Sequence, residues 1–137
     1  MPIKNDQDLQ EMKDDLMKVY KEVAPFCKSQ NEAWKRTVLH PAPRYYLSEP
    51  HAIRVIKSII NGETDKIDKM PSTVKRRCYS LYNEVLRLSE NPKYTNKPIV
   101  YLVRLALYNP APEFFLTTER FRRIFYEEKN KKYIGSV

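Results

Sequence analysis

The sequence predicts a mostly α-helical protein of about six helices, built as one domain from two tandem repeats. Three observations lead to this prediction. Apolar residues recur at helical spacing along most of the chain, only two of the 137 residues are glycine, and a 17-residue segment occurs twice at an offset of 69 residues. A chain of this length can bury a core without disulfides. We therefore expect residues 1–69 and 70–137 to form the two repeats.

The repeat is clearest around a Pro-Ala-Pro sequence. Residues 40–56, HPAPRYYLSEPHAIRVI, align without gaps on residues 109–125, NPAPEFFLTTERFRRIF, with five identities and several conservative exchanges. Each repeat is predicted to run helix, helix, short extended segment, helix, with approximate two-fold symmetry between the copies. The extended segments are candidates for a small antiparallel ribbon, which would need helices behind it. Leu47 and Leu116 should then occupy equivalent buried positions.

Three helices are predicted in the first repeat. The first follows a candidate cap at Asp6, and the second begins near residue 31 and ends by His40, because the residue before a proline is disfavoured in the α conformation. The third follows Ser48, a good N-cap, and stops at Asn61 and Gly62. In each aromatic pair between the second and third helices, we expect one ring to pack inside and the other to cover the repeat junction.

Three further helices are predicted in the second repeat. Pro71 and Ser72 open a long helix that ends at residues 91–92, Asn-Pro. The next helix is predicted to begin at Asn96, with Pro98 in its first turn, and to run through an apolar stretch to residue 107. Thr117 caps the last helix, which is rich in arginine and lysine.

The twice-occurring motif P-A-P-[RE]-[YF]-[YF]-[LV]-[ST], in a small basic protein with an Arg/Lys-rich last helix, resembles a group of short proteins of Bacteroides-type gut bacteria and of their phages and mobile elements. The resemblance covers both repeats and therefore most of the chain. It implies an origin in a phage or mobile element. It supplies no catalytic residues.

Several functional classes are excluded or disfavoured by composition. The glycines stand alone at positions 62 and 135, so the chain lacks the glycine-rich loops that bind nucleotides. Two histidines and two cysteines at scattered positions predict no catalytic site, no metal site and no cofactor. The polar N-terminus is no signal peptide, and the apolar runs are too short to span a bilayer. We expect a non-enzymatic protein of the host cytoplasm or of a virion.

Charge is concentrated in the second repeat, and this favours nucleic-acid binding as the leading hypothesis. Residues 70–137 carry a net charge of +7, against +1 for residues 1–69. Basic side chains interleaved with aromatic ones can contact phosphates while the rings stack on bases. A solvated helix face with Glu–Arg and Glu–Lys pairs at i,i+4 is the competing interpretation. The candidate nucleic-acid-binding residues are Lys75, Arg76, Arg77, Arg120, Arg122, Arg123, Lys129, Lys131 and Lys132.

The alternative hypothesis is a structural or accessory component of a phage particle or another assembly. Such a protein must offer a large apolar or aromatic surface to its partner. The candidate partner-contact residues are Tyr101, Tyr108, Tyr126 and Tyr133. Under the two hypotheses the partner is nucleic acid or an acidic protein surface, or else a capsid or other assembly subunit, and no membrane is involved. The sequence carries no signal for an oligomeric state.

Overall fold

The computed structural model describes the backbone of residues 6–135 and the side chains of residues 7–131. Over these residues the chain is mostly helical, as predicted, with seven α-helices and two single 3₁₀ turns, Ala24–Phe26 and Pro92–Tyr94. The added helix is one turn long and lies in the connection between the repeats. The α-helices are α1 (Asp6–Val23), α2 (Gln30–Leu39), α3 (Glu49–Ile60), α4 (Asp65–Asp68), α5 (Ser72–Ser89), α6 (Ile99–Leu107) and α7 (Thr118–Gly135).

Local chemistry accounts for both ends of α3. The Ser48 hydroxyl accepts a hydrogen bond from the His51 backbone N–H at the N-terminus. At the C-terminus, Gly62 adopts a left-handed φ of 76°. Its N–H and that of Glu63 donate to two carbonyls of the last turn, at 3.0 and 2.8 Å. The sequence predicted both boundaries.

The predicted start of α6 is wrong by three residues. Asn96 has a φ of 74°, in the left-handed region, so it cannot belong to a right-handed helix. The helix begins only at Ile99, and Pro98 stands immediately before it rather than in its first turn. Asparagine tolerates the left-handed conformation better than most residues, which explains why the chain turns there.

The two Pro-Ala-Pro segments meet each other. Ala42 and Ala111 exchange two backbone hydrogen bonds of 2.9 Å and form an isolated antiparallel bridge. The aromatic segments that follow form no strand within residues 6–135, so the candidate ribbon is reduced to this bridge. The reason is that the N–H of Tyr45 donates to the Leu107 carbonyl at 3.0 Å, while the N–H of Phe114 donates to the Val38 carbonyl at 3.1 Å. These donors satisfy helix C-termini instead of each other.

Each long helix that follows an aromatic segment packs on the other half of the chain. Helix α3 lies against α5 and α6, whereas α7 lies against α1 and α2. Within each half, α1 packs on α2 and α5 packs on α6. The main hydrophobic core therefore contains side chains from both halves, such as Leu16, Ile56, Leu81, Val103 and Phe121.

The aromatic pairs stack across this junction. Tyr45 stacks on Phe115 and Tyr46 stacks on Phe114, each with ring centroids 6.1 Å apart. Only Tyr46 is half-buried, and the other three rings are buried. The expectation of one inner and one covering ring therefore fails for the second pair. Leu47 is buried as expected, while Leu116 is half-buried and packs against the same core.

Candidate nucleic-acid interface

Helix α7 is held against the first half of the protein by three apolar side chains. Phe121, Ile124 and Phe125 are almost completely buried. The ring of Phe125 lies 4.7 Å from that of Tyr20 on α1 and 5.8 Å from that of Trp34 on α2, measured between centroids. The backbone N–H of Arg120 donates to the Thr117 hydroxyl at 3.0 Å and so fixes the start of the helix. The remaining sides of α7 face solvent.

The cations predicted on α7 lie on that outer surface, as far as their side chains are described. Those of Lys132 and Tyr133 lie outside the described residues. The exposed cationic side chains, which we call the α7 basic face, are Arg120, Arg122, Arg123, Lys129 and Lys131.

The glutamates of α7 neutralise only part of this face. Glu119 pairs with Arg122 at 3.5 Å and Glu128 pairs with Lys131 at 3.2 Å, both at i,i+3. Glu127 pairs outside the helix, with Lys13 of α1 at 3.3 Å. These are not the i,i+4 pairs that a self-neutralised helix would use.

Three cations of the α7 basic face remain without an ion pair in the part of the chain that the structure describes, namely Arg120, Arg123 and Lys129. The ammonium of Lys129 instead lies 5.2 Å from the centroid of the Phe125 ring. A surplus of positive charge therefore survives local pairing.

A groove between α1 and α7 extends the basic face. It has a volume of about 810 Å³ and is lined by Lys18 and Lys21 from α1 and by Lys129 and Lys131 from α7, with the ring of Phe125 among its apolar walls. The two lysines of α1 were not predicted. Only the packing of α7 on the opposite half of the chain brings them beside the predicted ones.

The second predicted cluster, residues 75–77 of α5, divides between three environments. Lys75 pairs with Asp68 at 3.9 Å and Arg76 with Glu113 at 2.8 Å. Arg77 points inward, and its Nε is buried without a hydrogen-bond partner. Burial lowers the pKa of Arg77, because low-dielectric surroundings disfavour the charged form.

A second cavity, of about 690 Å³, lies at the junction of the halves, and we call it the junction cavity. Arg77 and Arg120 both line it, so it is the one described place where the two predicted clusters meet. His51 and Arg54 of α3 line the same cavity and were not predicted as ligand-binding residues. The repeat alignment held a signal for them, since residue 51 aligns with Arg120 and residue 54 with Arg123.

The predicted partner-contact tyrosines have separate surroundings. Tyr101 contacts Tyr94 at 6.2 Å between centroids, Tyr108 lies 4.7 Å from the Arg44 guanidinium carbon, and Tyr126 packs edge-on against Trp34 at 6.0 Å. All three are exposed, Tyr108 most at 63%. The ring contacts of the described residues do not join these tyrosines into one patch.

Two other kinds of site are absent from the described residues. No helix among them is long and apolar enough to cross a membrane. No group of three or more His, Cys, Asp or Glu side chains in this part of the chain is placed to hold a metal ion.

Comparison with known proteins gives no match: no family model, no curated protein and no solved structure is significantly similar to this chain.

Proposed function

We propose that the protein is a non-enzymatic nucleic-acid-binding protein, and that it contacts phosphates through the α7 basic face together with Lys18 and Lys21. The observation that carries this proposal is the surplus of exposed positive charge on one helix. Packing turns the apolar side of α7 inward, and the acidic side chains of α7 are engaged with only part of its cations. Such a surface attracts a polyanion independently of its sequence.

Aromatic rings beside the cations favour a single-stranded ligand. Arg122, Arg123, Tyr126 and Asn130 line a shallow groove along α7. The ring of Tyr126 is 44% exposed there, which leaves an edge and part of a face accessible. Stacking on such a ring is tolerant of base identity, because every base has a π-face. Double-stranded ligands would contact the cations but not the ring.

The salt dependence of binding tests this proposal. We expect the affinity for a single-stranded oligonucleotide to fall steeply with salt. The triple charge reversal R120E/R123E/K129E should flatten the slope of log affinity against log salt by about 2, at roughly 0.7 for each phosphate that the variant no longer neutralises. Fluorescence anisotropy between about 50 and 200 mM salt measures the slope.

The matched control is K57E/K66E/K69E, which lowers the net charge from +8 to +2 as the first variant does, but at exposed lysines of α3, α4 and their flank. It should leave the slope close to that of the wild-type protein. Equal effects of the two variants would show that net charge alone, and not the α7 basic face, attracts the ligand. No detectable binding at about 50 mM salt would remove the proposal.

A role as a structural component of a phage particle is the second candidate, and the resemblance of the Pro-Ala-Pro motif supports such an origin. It draws on large apolar side chains left in solvent, above all Phe26, which is 78% exposed, and Tyr108. Co-purification of the protein with particles rather than with nucleic acid would favour it. Substitution of Phe26 and Tyr108 by serine should then abolish co-purification without changing oligonucleotide binding.

We also propose that the two halves are copies of one structural unit related by an approximate two-fold axis. Three observations support it. Ala42 and Ala111 are 69 residues apart and bond reciprocally. The bond from Tyr45 to Leu107 becomes the bond from Phe114 to Val38 when the same offset is exchanged between partners. Helices α2 and α3 begin 69 residues before α6 and α7.

A further inference from the structure

The junction cavity collects positive charge that no protein carboxylate answers. Asp8 and Glu113 are the acidic residues among its lining, and each already binds another arginine: Asp8 accepts from Arg44 at 3.0 Å and Glu113 from Arg76 at 2.8 Å. Arg54, Arg77 and Arg120 also line the cavity. Within the described residues none of these three forms an ion pair.

Arg77 is the central observation, because its position is costly for an unliganded protein. Its guanidinium is largely removed from water and its Nε has no acceptor. A buried cation without a partner destabilises the fold by the lost hydration of the charge. An anion in the cavity would restore both a counter-charge and acceptors.

The wall formed by α3 suits an anion as well. Arg54 Nη2 lies 3.5 Å from His51 Nδ1, so Nδ1 accepts and the proton of the neutral ring is on Nε2, a donor. Burial, together with the charges of Arg77 and Arg54, lowers the pKa of His51 and favours that neutral form. Ser48 and His51, in and beside the first turn of α3, place the positive end of the helix dipole at the same wall.

We infer that the junction cavity is a binding site for one phosphomonoester group, held by Arg77, Arg54 and Arg120. Planar guanidinium groups bind phosphate oxygens in pairs, and three of them match the three terminal oxygens and double charge of a phosphomonoester better than they match a carboxylate. The group can belong to the end of a nucleic-acid strand or to a small phosphate ester. This site is distinct from the outer surface of α7, although Arg120 borders both.

The test begins with inorganic phosphate as the probe and the full-length protein. At constant ionic strength, replacing chloride by phosphate should raise the thermal midpoint and shift the backbone amide resonances of residues 51, 54, 77 and 120. Arg77→Gln should weaken phosphate binding by about tenfold or more, because glutamine cannot form the charge-assisted bidentate interaction. Arg87→Gln, on the same helix but in an exposed pair with Glu84, should change binding by less than about twofold.

A second variant guards against misfolding of Arg77→Gln. Arg120 is exposed, so Arg120→Gln should fold normally and still weaken phosphate binding several-fold, whereas Arg123→Gln, one turn further along α7 and outside the cavity lining, should not. Absence of any phosphate-specific shift, or equal effects of Arg120→Gln and Arg123→Gln, would overturn the inference.

Three ligands then distinguish the source of the phosphate: adenosine 5′-monophosphate, and an oligothymidylate with and without a 5′-phosphate. Competition with inorganic phosphate by the 5′-phosphorylated strand alone identifies a strand end as the ligand. Competition by the mononucleotide alone identifies a small ester. The salt slope that tests binding to the α7 basic face is measured on the 5′-hydroxyl strand, so either proposal can fail while the other stands.

Discussion

Arg44 shows how one residue ties distant segments together. It is 7% exposed, and its Nη1 donates to Asp8 and to Glu11 of α1, both at 3.0 Å. Its guanidinium carbon also lies 5.2 Å from the ring centroid of Tyr46 and 4.7 Å from that of Tyr108. The arginine therefore joins α1, the first aromatic segment and the end of α6.

We expect Arg44→Met to lower the free energy of unfolding by about 1–3 kcal/mol, because methionine forms neither the charge-assisted hydrogen bonds nor the cation–π interactions. The effect should stay below that of breaking a fully buried pair, since Glu11 is partly in water. Arg36→Met removes an exposed pair with Glu32 and should cost no more than about 0.5 kcal/mol. Urea denaturation measures both, and equal losses of stability would contradict this role of Arg44.

His51 should make stability depend on pH. Its pKa is lowered in the folded protein by burial and by the nearby charges of Arg77 and Arg54. The unfolded chain therefore binds more protons than the folded one as pH falls through about 6.5. The free energy of unfolding should decrease between pH 7.5 and 5.5 and, for this residue, level off below the folded-state pKa.

Urea denaturation of the wild-type protein and of His51→Gln at these two pH values checks the sign and the origin of the effect. The substitution removes the titrating group, so it should reduce the pH-dependent loss of stability. An unchanged loss in His51→Gln would assign the effect to other groups.

At the scale of elements, the caps decide where the helices of the aromatic junction begin. Thr117 Oγ1 accepts from the Arg120 N–H at 3.0 Å, as Ser48 Oγ accepts from the His51 N–H at 3.4 Å. Thr117→Ala should lower the free energy of unfolding by about 1 kcal/mol, whereas Thr117→Asp should preserve it, because aspartate caps equally well and complements the helix dipole. Thermal unfolding followed by circular dichroism measures the two. Equal destabilisation would mean that the hydroxyl does not cap α7 in solution.

At the scale of the whole molecule, the exchange of α3 and α7 makes each half depend on the other. Without residues 70–137, α3 loses the α5 and α6 surfaces on which it packs; without residues 1–69, α7 loses α1 and α2. Buried residues of both halves, such as Ile56 and Phe121, would then face water. Short helices without such packing are marginal in water.

We therefore expect fragments 1–69 and 70–137 to be poorly helical when separate and to regain the circular dichroism of the intact chain when mixed. Size-exclusion chromatography of the mixture should give one complex of intact size. A cooperative unfolding transition from either fragment alone would contradict this dependence.

The candidate site was predicted only in the part that one helix controls by itself. The spacing of Phe121, Ile124 and Phe125 assigns the inner side of α7, and the cations must then lie outside. The lysines of α1 beside Lys129 could not be predicted, because their proximity depends on which half α7 packs against. For the same reason residues 75–77 form one cluster in the sequence, although the structure separates Arg77 from its neighbours.

The sequence by itself determined the helical class, the caps at Ser48 and Thr117, and the excess of positive charge in the second half, since each depends on residues close together in the chain. Tertiary structure decided what those elements meet. The aromatic segments became a single bridge because their N–H groups found helix carbonyls of the other half, and the arginines of α3, α5 and α7 reached one cavity because α3 and α7 exchange sides. Local preference selects helices and their ends, whereas burial of apolar surface from both halves selects the neighbours of each helix.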